Sequence, residues 1–340
     1  MAGELVLSRP QVLGFRRRVG ALEERLPAGT ASLRRAAWAG LQDSVPRSAL
    51  LAIHARVAGT GPTAWADPSL AQVWGPRYTA YVVAAVDRPV FTLGRLPDDP
   101  AGRRRAEDLA TRLHEFLAGR RLPYREAGRG LGVHPNALRY AAPTGTVLIR
   151  WEGAGQPTIW TEPRPDVDPA DARLELARRF LHVSGPGTAA SFAEWAGIRP
   201  SRAAAAFEAL RPELIPVRSP LGEGWILAQD EPAFRAAPVP SAPARLLPSG
   251  DPYFLLQGAD RELLVPDADR RRELWPPRVW PGAVLVDGEV VGTWRRVGPA
   301  VTVRPWRRPS RATRAAVEAE AAALPLPDLP GPVTVSWGEP

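Results

Sequence analysis

Apolar residues recur at helical spacing over most of the chain and at strand spacing in its last third. The clearest stretch is 169–228. Leu174, Leu176, Ala177, Phe180 and Leu181 form one apolar stripe and predict a helix over Pro169–Leu181, capped by Asp168. Thr188 and Ser201 cap two further helices, Thr188–Ala196 and Ser201–Leu210, separated by a tight turn at Gly197–Pro200. Short strands at Glu213–Arg218 and Gly224–Ala228 follow. Helix, helix, turn, helix, hairpin is the order of a winged helix. The stretch 103–161 repeats it. Arg103–Ala118 is a helix with Leu109, Leu113, Phe116 and Leu117 on its buried side, and Tyr124–Leu131 and His134–Ala141 are two shorter ones. Thr146–Trp151 and Pro157–Thr161 make a hairpin with Glu152–Gln156 at its tip. A looser copy comes first, with helices near Ser8–Val19, Ala31–Leu41 and Pro46–Val57 and a strand candidate at Tyr78–Val83. The repeat length is roughly 65–70 residues.

The last third reads differently. Tyr253–Gln257, Glu262–Val265, Ala283–Val286, Val290–Trp294 and Val301–Pro305 look like strands, and Asp287-Gly288 is a hairpin turn signal. A helix at Ser310–Ala323 and a strand at Val333–Trp337 close the chain. Proline-rich breaks at Leu96–Pro100, Glu162–Pro169 and Pro232–Pro248 divide the sequence. The expected fold class is therefore α+β: three tandem winged-helix units at 1–97, 98–165 and 166–238, then a small β-barrel with a C-terminal helix at 239–340.

Composition narrows the chemistry. At 340 residues, 45% hydrophobic and 24% charged, the chain is globular. It has no cysteine, which excludes thiolate metal sites, cysteine nucleophiles and disulfides. No apolar run reaches the roughly 20 residues of a spanning helix, and the N-terminus lacks the order of a secretory signal. The expected location is cytoplasmic and nucleoid-associated, with no membrane partner. Four histidines lack ligand spacing, so no metal site is expected, and His114 and His182 lie near apolar helix faces.

All 44 basic residues are arginine, against 36 acids, for a net charge of +8. A GC-rich genome accounts for that composition as readily as function does. Position says more. Residues 1–60 carry nine arginines and four acids, and residues 292–314 carry seven arginines and no acid. Two basic regions could meet as a phosphate-tracking surface. In a winged helix the third helix enters a groove and the wing touches backbone, although such units also serve as protein-binding modules. The second unit's third helix carries His134, Asn136, Arg139 and Tyr140, and its wing carries Arg150, whereas the third unit's equivalent, Ser201–Ala206, is mostly alanine.

One stretch concentrates polar side chains beside a helix start: Gly40-Leu41-Gln42-Asp43-Ser44-Val45-Pro46-Arg47-Ser48, followed by His54 and Arg56. Gln, Asp and Ser together can hold a water and a ligand. Ser44 also suits a plain N-cap for a helix beginning at Pro46.

With this stretch, Leu246–Tyr253 (Leu-Leu-Pro-Ser-Gly-Asp-Pro-Tyr) and the run from Leu274-Trp275 to Val284–Arg296, nearly the whole sequence resembles the bacterial winged-helix DNA glycosylases of the AlkZ and YcaQ type. The resemblance implies three winged helices and a barrel around a DNA-sized cleft. It implies excision of purines alkylated at N3 or N7, extending to crosslink unhooking, without a cofactor. The family's catalytic signature is Gln, any residue, then Gln or Asp. Gln42 matches the first position, Ser44 stands at the second, and Asp43 lies between them. On this reading Gln42 places water or holds the lesion, and Asp43 or Ser44 assists the sugar cation. Arg47, Arg56, Arg77, Arg139, Arg150, Arg295 and Arg296 hold phosphates, with His54, Tyr78, His134, Asn136 and Trp294 as further DNA contacts. The partner is double-stranded DNA carrying alkylated bases, met by a monomer. Because of Ser44, the alternative is a non-catalytic winged-helix protein, a regulator or a damage sensor.

Overall fold

The computed structural model describes residues 5–45, 47–152, 155–236, 243–326 and 331–339. Pro46, the middle of the expected wing tip and part of the linker at Pro232–Pro248 lie outside the described residues. The fold is mixed α+β. Three small three-stranded sheets sit among helices, and a five-stranded sheet lies toward the C-terminus.

In the first sheet Leu41–Gln42 and Leu70–Trp74 flank Ala80–Ala84, both antiparallel to it. The helix Thr30–Ala36 ends early because Gly40 takes φ +78° to turn the chain into Leu41–Gln42. A Cβ there would meet Phe91 at 2.7 Å, so only glycine fits. The strand expected from Tyr78 starts at Ala80, since Arg77 and Tyr78 both adopt left-handed φ. In helix Ser48–Arg56 all nine residues are buried.

The second sheet orders Leu122–Pro123, Thr158–Thr161 and Val147–Arg150, with helices Pro100–Leu117 and Tyr124–Gly130 beside it. The expected α-helix at His134–Ala141 is a 3-10 segment, Pro135–Thr144. Pro143 has no N–H to give and crowds the carbonyl four residues back, which shuts off regular α bonding.

The third sheet joins distant parts. Leu5–Val6 runs parallel to Leu214–Ser219, which pairs with Gly222–Leu227. Helix Arg9–Val19 thereby packs with the third hairpin and the C-terminal region in one core, where Phe15 stacks on Phe234 at 3.7 Å. Helices Pro169–Ser184, Ala189–Ala196 and Pro200–Ala209 surround a second core. Asp168 and Thr188 cap the first two of these.

The C-terminal sheet runs Arg245–Leu247, Gly282–Val286, Glu289–Val297, Ala300–Pro305, Thr334–Trp337. Among the described residues its first and last strands do not pair, so it is an open sheet and not the expected barrel. Helix Arg311–Ala322 packs against it. Asp287 and Gly288 make the expected two-residue turn, both with positive φ. Two expected strands are absent. Tyr253–Gln257 is a turn followed by irregular backbone, and Glu262–Val265 falls largely within helix Gly258–Leu264. A short apolar run such as Leu263-Leu264-Val265 suits either element, and only tertiary packing decides. A further helix, Ala268–Leu274, is capped by Asp267.

Candidate active site and nucleic-acid interface

Strand periodicity sorts the Gln-Asp-Ser stretch. Leu41 and Asp43 point inward, and Gln42 and Ser44 share the opposite face. Gln42 sits on a strand opposite Tyr81 and donates from Nε2 to Ser44 Oγ. Its Oε1 is buried without a protein partner. Gly250 (φ +76°) packs on this amide so tightly that a Cβ would lie 3.3 Å from Gln42 Cδ. The segment Leu246–Tyr253 therefore meets the first motif at Gln42.

Asp43 is 2% exposed. Its N–H donates to Ala80 O, which continues the strand. Its Oδ1 accepts from Ala49 N at 3.0 Å, capping helix Ser48–Arg56, and its Oδ2 accepts from Gln72 Nε2 at 2.6 Å. Gln72 Oε1 in turn accepts from Trp151 N at 2.5 Å, at the end of the second hairpin. Burial raises the Asp43 pKa to about 6, against these hydrogen bonds and the nearby guanidinium groups of Arg47 and Arg150.

Ser44 is exposed and lines a cavity of about 570 Å³ between the first and second sheets. Trp74, Tyr124, Trp151, Arg125 and Arg139 are among its walls. Arg139 lies over Trp74, and its Nε has no partner. The lining is thus both aromatic and cationic, a setting for a planar, electron-poor or acceptor-bearing group.

A family model for AlkZ-like DNA glycosylases matches residues 34–325. The chain belongs to that family. It is a DNA N-glycosylase, a hydrolase acting on the bond between base and sugar, and DNA is its partner. Among solved structures, the Streptomyces sahachiroi DNA glycosylase AlkZ is similar in fold, with a TM-score of 0.78 at 21% identity, covering 98% of this chain and 100% of that one. The comparison with curated proteins gave no match.

The glycosylase distributes the other expected site residues unevenly. His134, Asn136 and Tyr140 are exposed together along the 3-10 segment, with Arg139 half-buried beside them. Tyr78 packs edge-on against Tyr140 and rests on the buried Arg95, whose pKa burial pushes down to about 10. Arg77 lines a separate cavity of about 270 Å³ with Glu194 and Asp260. Arg47, with φ +68°, and Arg150 both lie on the Trp65 ring, at 4.3 and 4.0 Å, and Arg47 Nη2 also donates to Glu152 O. Arg295 is exposed and donates to Val279 O, and Arg296 donates to Gly298 O.

Three expected DNA contacts have protein partners in the interior. Arg56 binds Asp251 through two hydrogen bonds of 2.7 Å. His54 faces Arg25, Arg245 and Glu320, and its pKa falls to about 4 because burial and the two cations disfavour its charged form. Trp294 is 5% exposed and donates from Nε1 to Leu247 O. All three side chains are buried and engaged within the protein.

Sequence reasoning missed Gln72, Trp74, Tyr124 and Trp151. Gln72 carried a signal, since it is the one polar side chain in the run Leu-Ala-Gln-Val-Trp of a buried strand, and a buried amide needs partners. Among the described residues no cluster of three or more His, Asp or Glu could hold a metal ion, and no helix is long and apolar enough to cross a membrane.

Proposed function

We propose that this glycosylase, acting as a monomer, excises purines alkylated at N3 or N7 from duplex DNA, with bulky and crosslinked adducts within its range. The observation that carries this reading is the shared face of Gln42 and Ser44 beside an arginine-lined cavity. An N3- or N7-alkylated purine is already cationic and departs without a general acid. The protein needs to hold the DNA, stabilise the oxocarbenium-like sugar and place a water. Ser44 takes the Gln42 amide N–H, and the unpartnered Gln42 Oε1, buried beside Gly250 in the free protein, serves as the acceptor for that water or as the dipole facing the cation once bound DNA uncovers it. Asp43 acts from behind, through the backbone it fixes.

On the same reading the chain is three winged-helix units at 1–97, 98–165 and 166–238, followed by the C-terminal unit at 239–340. Two of the three small sheets fall within one unit each and support that division, while the third draws Leu5–Val6 across to the hairpin 214–227. His134, Asn136, Arg139 and Tyr140 face the duplex, and Arg295 and Arg296 meet its backbone. Extruding a nucleotide is least unfavourable at a damaged pair, and the cavity beside Ser44 gives a bulky substituent a place to lie.

Ser44 offers neither carboxylate nor amide at the second position, so Gln42 carries the larger share of the work on this reading. Release of N7-methylguanine or N3-methyladenine from a duplex, read by alkaline strand scission, tests it. Release supports alkylated purines as substrates. Binding with no release of methylated, bulky or crosslinked bases overturns that choice of substrate.

A further inference from the structure

Gln42 and Ser44, which share one face of the strand, are tied through the residue between them to the hairpin of the next unit. Asp43 Oδ2 accepts from Gln72 Nε2, and Gln72 Oε1 accepts from Trp151 N. A second tie runs parallel to it: Arg47, just beyond the motif, donates to Glu152 O and shares the Trp65 ring with Arg150. Residues 150–152 of the hairpin thus contact the motif loop by two routes, one through a buried amide and one through a stacked indole.

Polarity makes the first route directional. A carboxylate only accepts, and the Trp151 N–H only donates, so Gln72 has one satisfactory orientation between them. Asp43 is held by two donors on the inner face, and strand alternation then fixes Gln42 and Ser44 on the outer one. Moving the hairpin moves Gln72, and moving Gln72 releases Asp43. We propose that Gln72 is a positioning residue for base excision: its amide locks Asp43 and Trp151 together, so that seating of the second hairpin on DNA sets the Gln42–Ser44 face. The proposal rests on the glycosylase reading of that face. Gln72 does not touch DNA or the reacting sugar. It transmits geometry, and a displacement on the order of 1 Å at a reacting group can lower a rate about a hundredfold.

The hydrogen-bond chain can be reversed without changing its shape. With Asp43→Asn and Gln72→Glu together, the carboxylate now at position 72 accepts from Trp151 N and from the amide nitrogen now at position 43. The amide oxygen at position 43 still accepts from Ala49 N. Each single substitution sets like against like: two amides compete in Asp43→Asn, and two carboxylates face each other in Gln72→Glu. Single-turnover release from an N7-methylguanine duplex, with DNA affinity and melting temperature measured on the same samples, is the test. We expect each single variant to lose about tenfold or more in release rate while DNA affinity changes by far less. We expect the double variant to recover most of the loss. Where Asp43→Asn does not fold, Gln72→Met, which keeps the chain length and removes both hydrogen bonds, takes its place in the comparison.

Singles that match wild type in rate overturn the proposal. So do rates that fall only in step with affinity or stability, and a double variant no better than the singles. If wild type itself releases no base, the glycosylase reading of the site fails first and separately.

Discussion

Arg56 and Asp251 bind each other face to face in the interior, with both carboxylate oxygens at 2.7 Å from the guanidinium nitrogens and both side chains almost fully buried. The pair joins the helix behind the Gln42 motif to the segment that carries Gly250, which packs on Gln42 itself. One ion pair therefore registers the first sheet against the C-terminal region at the proposed reaction centre. Removing either partner leaves a buried charge unpaired. Arg56→Met or Asp251→Leu alone should cost about 3–5 kcal/mol of stability, and the double replacement much less than their sum. Chemical denaturation of the three variants checks this. Equal and additive losses would show that the pair does not act as a unit.

Asp43 is ionised at neutral pH against the preference of its site. Its folded pKa, about 6, lies above that of a free carboxylate, so the folded state holds the proton more tightly than the unfolded chain does. This group's contribution to stability is greatest below about pH 4 and declines as pH rises toward 6. Asp43→Asn lacks this dependence. Its melting temperature should gain on that of wild type across the pH 4–6 window. A difference that stays constant with pH would contradict the buried, raised carboxyl. The functional counterpart is that the hydrogen-bond chain to Trp151 needs the ionised form, which the fold maintains at some loss of stability.

His54 titrates in the same range with the opposite sign. Its folded pKa is lowered to about 4 by burial and by Arg25 and Arg245, so protonation opposes folding. Stability from this group is complete above about pH 6.5 and is lost as pH falls toward 4. Relative to wild type, His54→Gln should be less sensitive to acid. If His54 instead met phosphate, its substitution would change the salt dependence of DNA binding and leave the acid limb unaltered.

The cavity beside Ser44 makes a prediction about lesion size. Its volume, about 570 Å³, is in the range of sites that take drug-sized groups, and its lining is partly aromatic. Tyr124→Leu and Arg139→Gln should lower release of an N7-benzylguanine more than release of N7-methylguanine, by about tenfold in the ratio of rates for the pair of substitutions. An unchanged ratio would place the substituent elsewhere.

Much of the local structure was legible in the sequence because its signals are local. Asp168 and Thr188 cap helices where side-chain oxygens meet free N–H groups, and Asp287-Gly288 turns the expected hairpin, whereas Ser201, the third expected cap, lies inside helix Pro200–Ala209. What escaped depends on partners far along the chain. The parallel pairing of Leu5–Val6 with Leu214–Ser219 involves two residues on one side and leaves no periodicity to read. His54, Arg56 and Trp294 look like DNA contacts by residue type. Yet beyond Ser48 at its start, helix Ser48–Arg56 has no polar side chain except His54 and Arg56, the mark of a helix buried all round. The Gln42–Ser44 face was readable from strand alternation once the strand was known. Its link to Trp151 was not, because Gln72 is a lone amide 29 residues away in sequence.

The central claim is that Gln42 acts in excision and not in holding DNA. Base release and DNA affinity measured together for wild type and Gln42→Ala, on duplexes containing N7-methylguanine or N3-methyladenine, test it most directly. The account predicts release by wild type, no detectable release by Gln42→Ala, and nearly equal affinity for the two. Release by Gln42→Ala at the wild-type rate would contradict it.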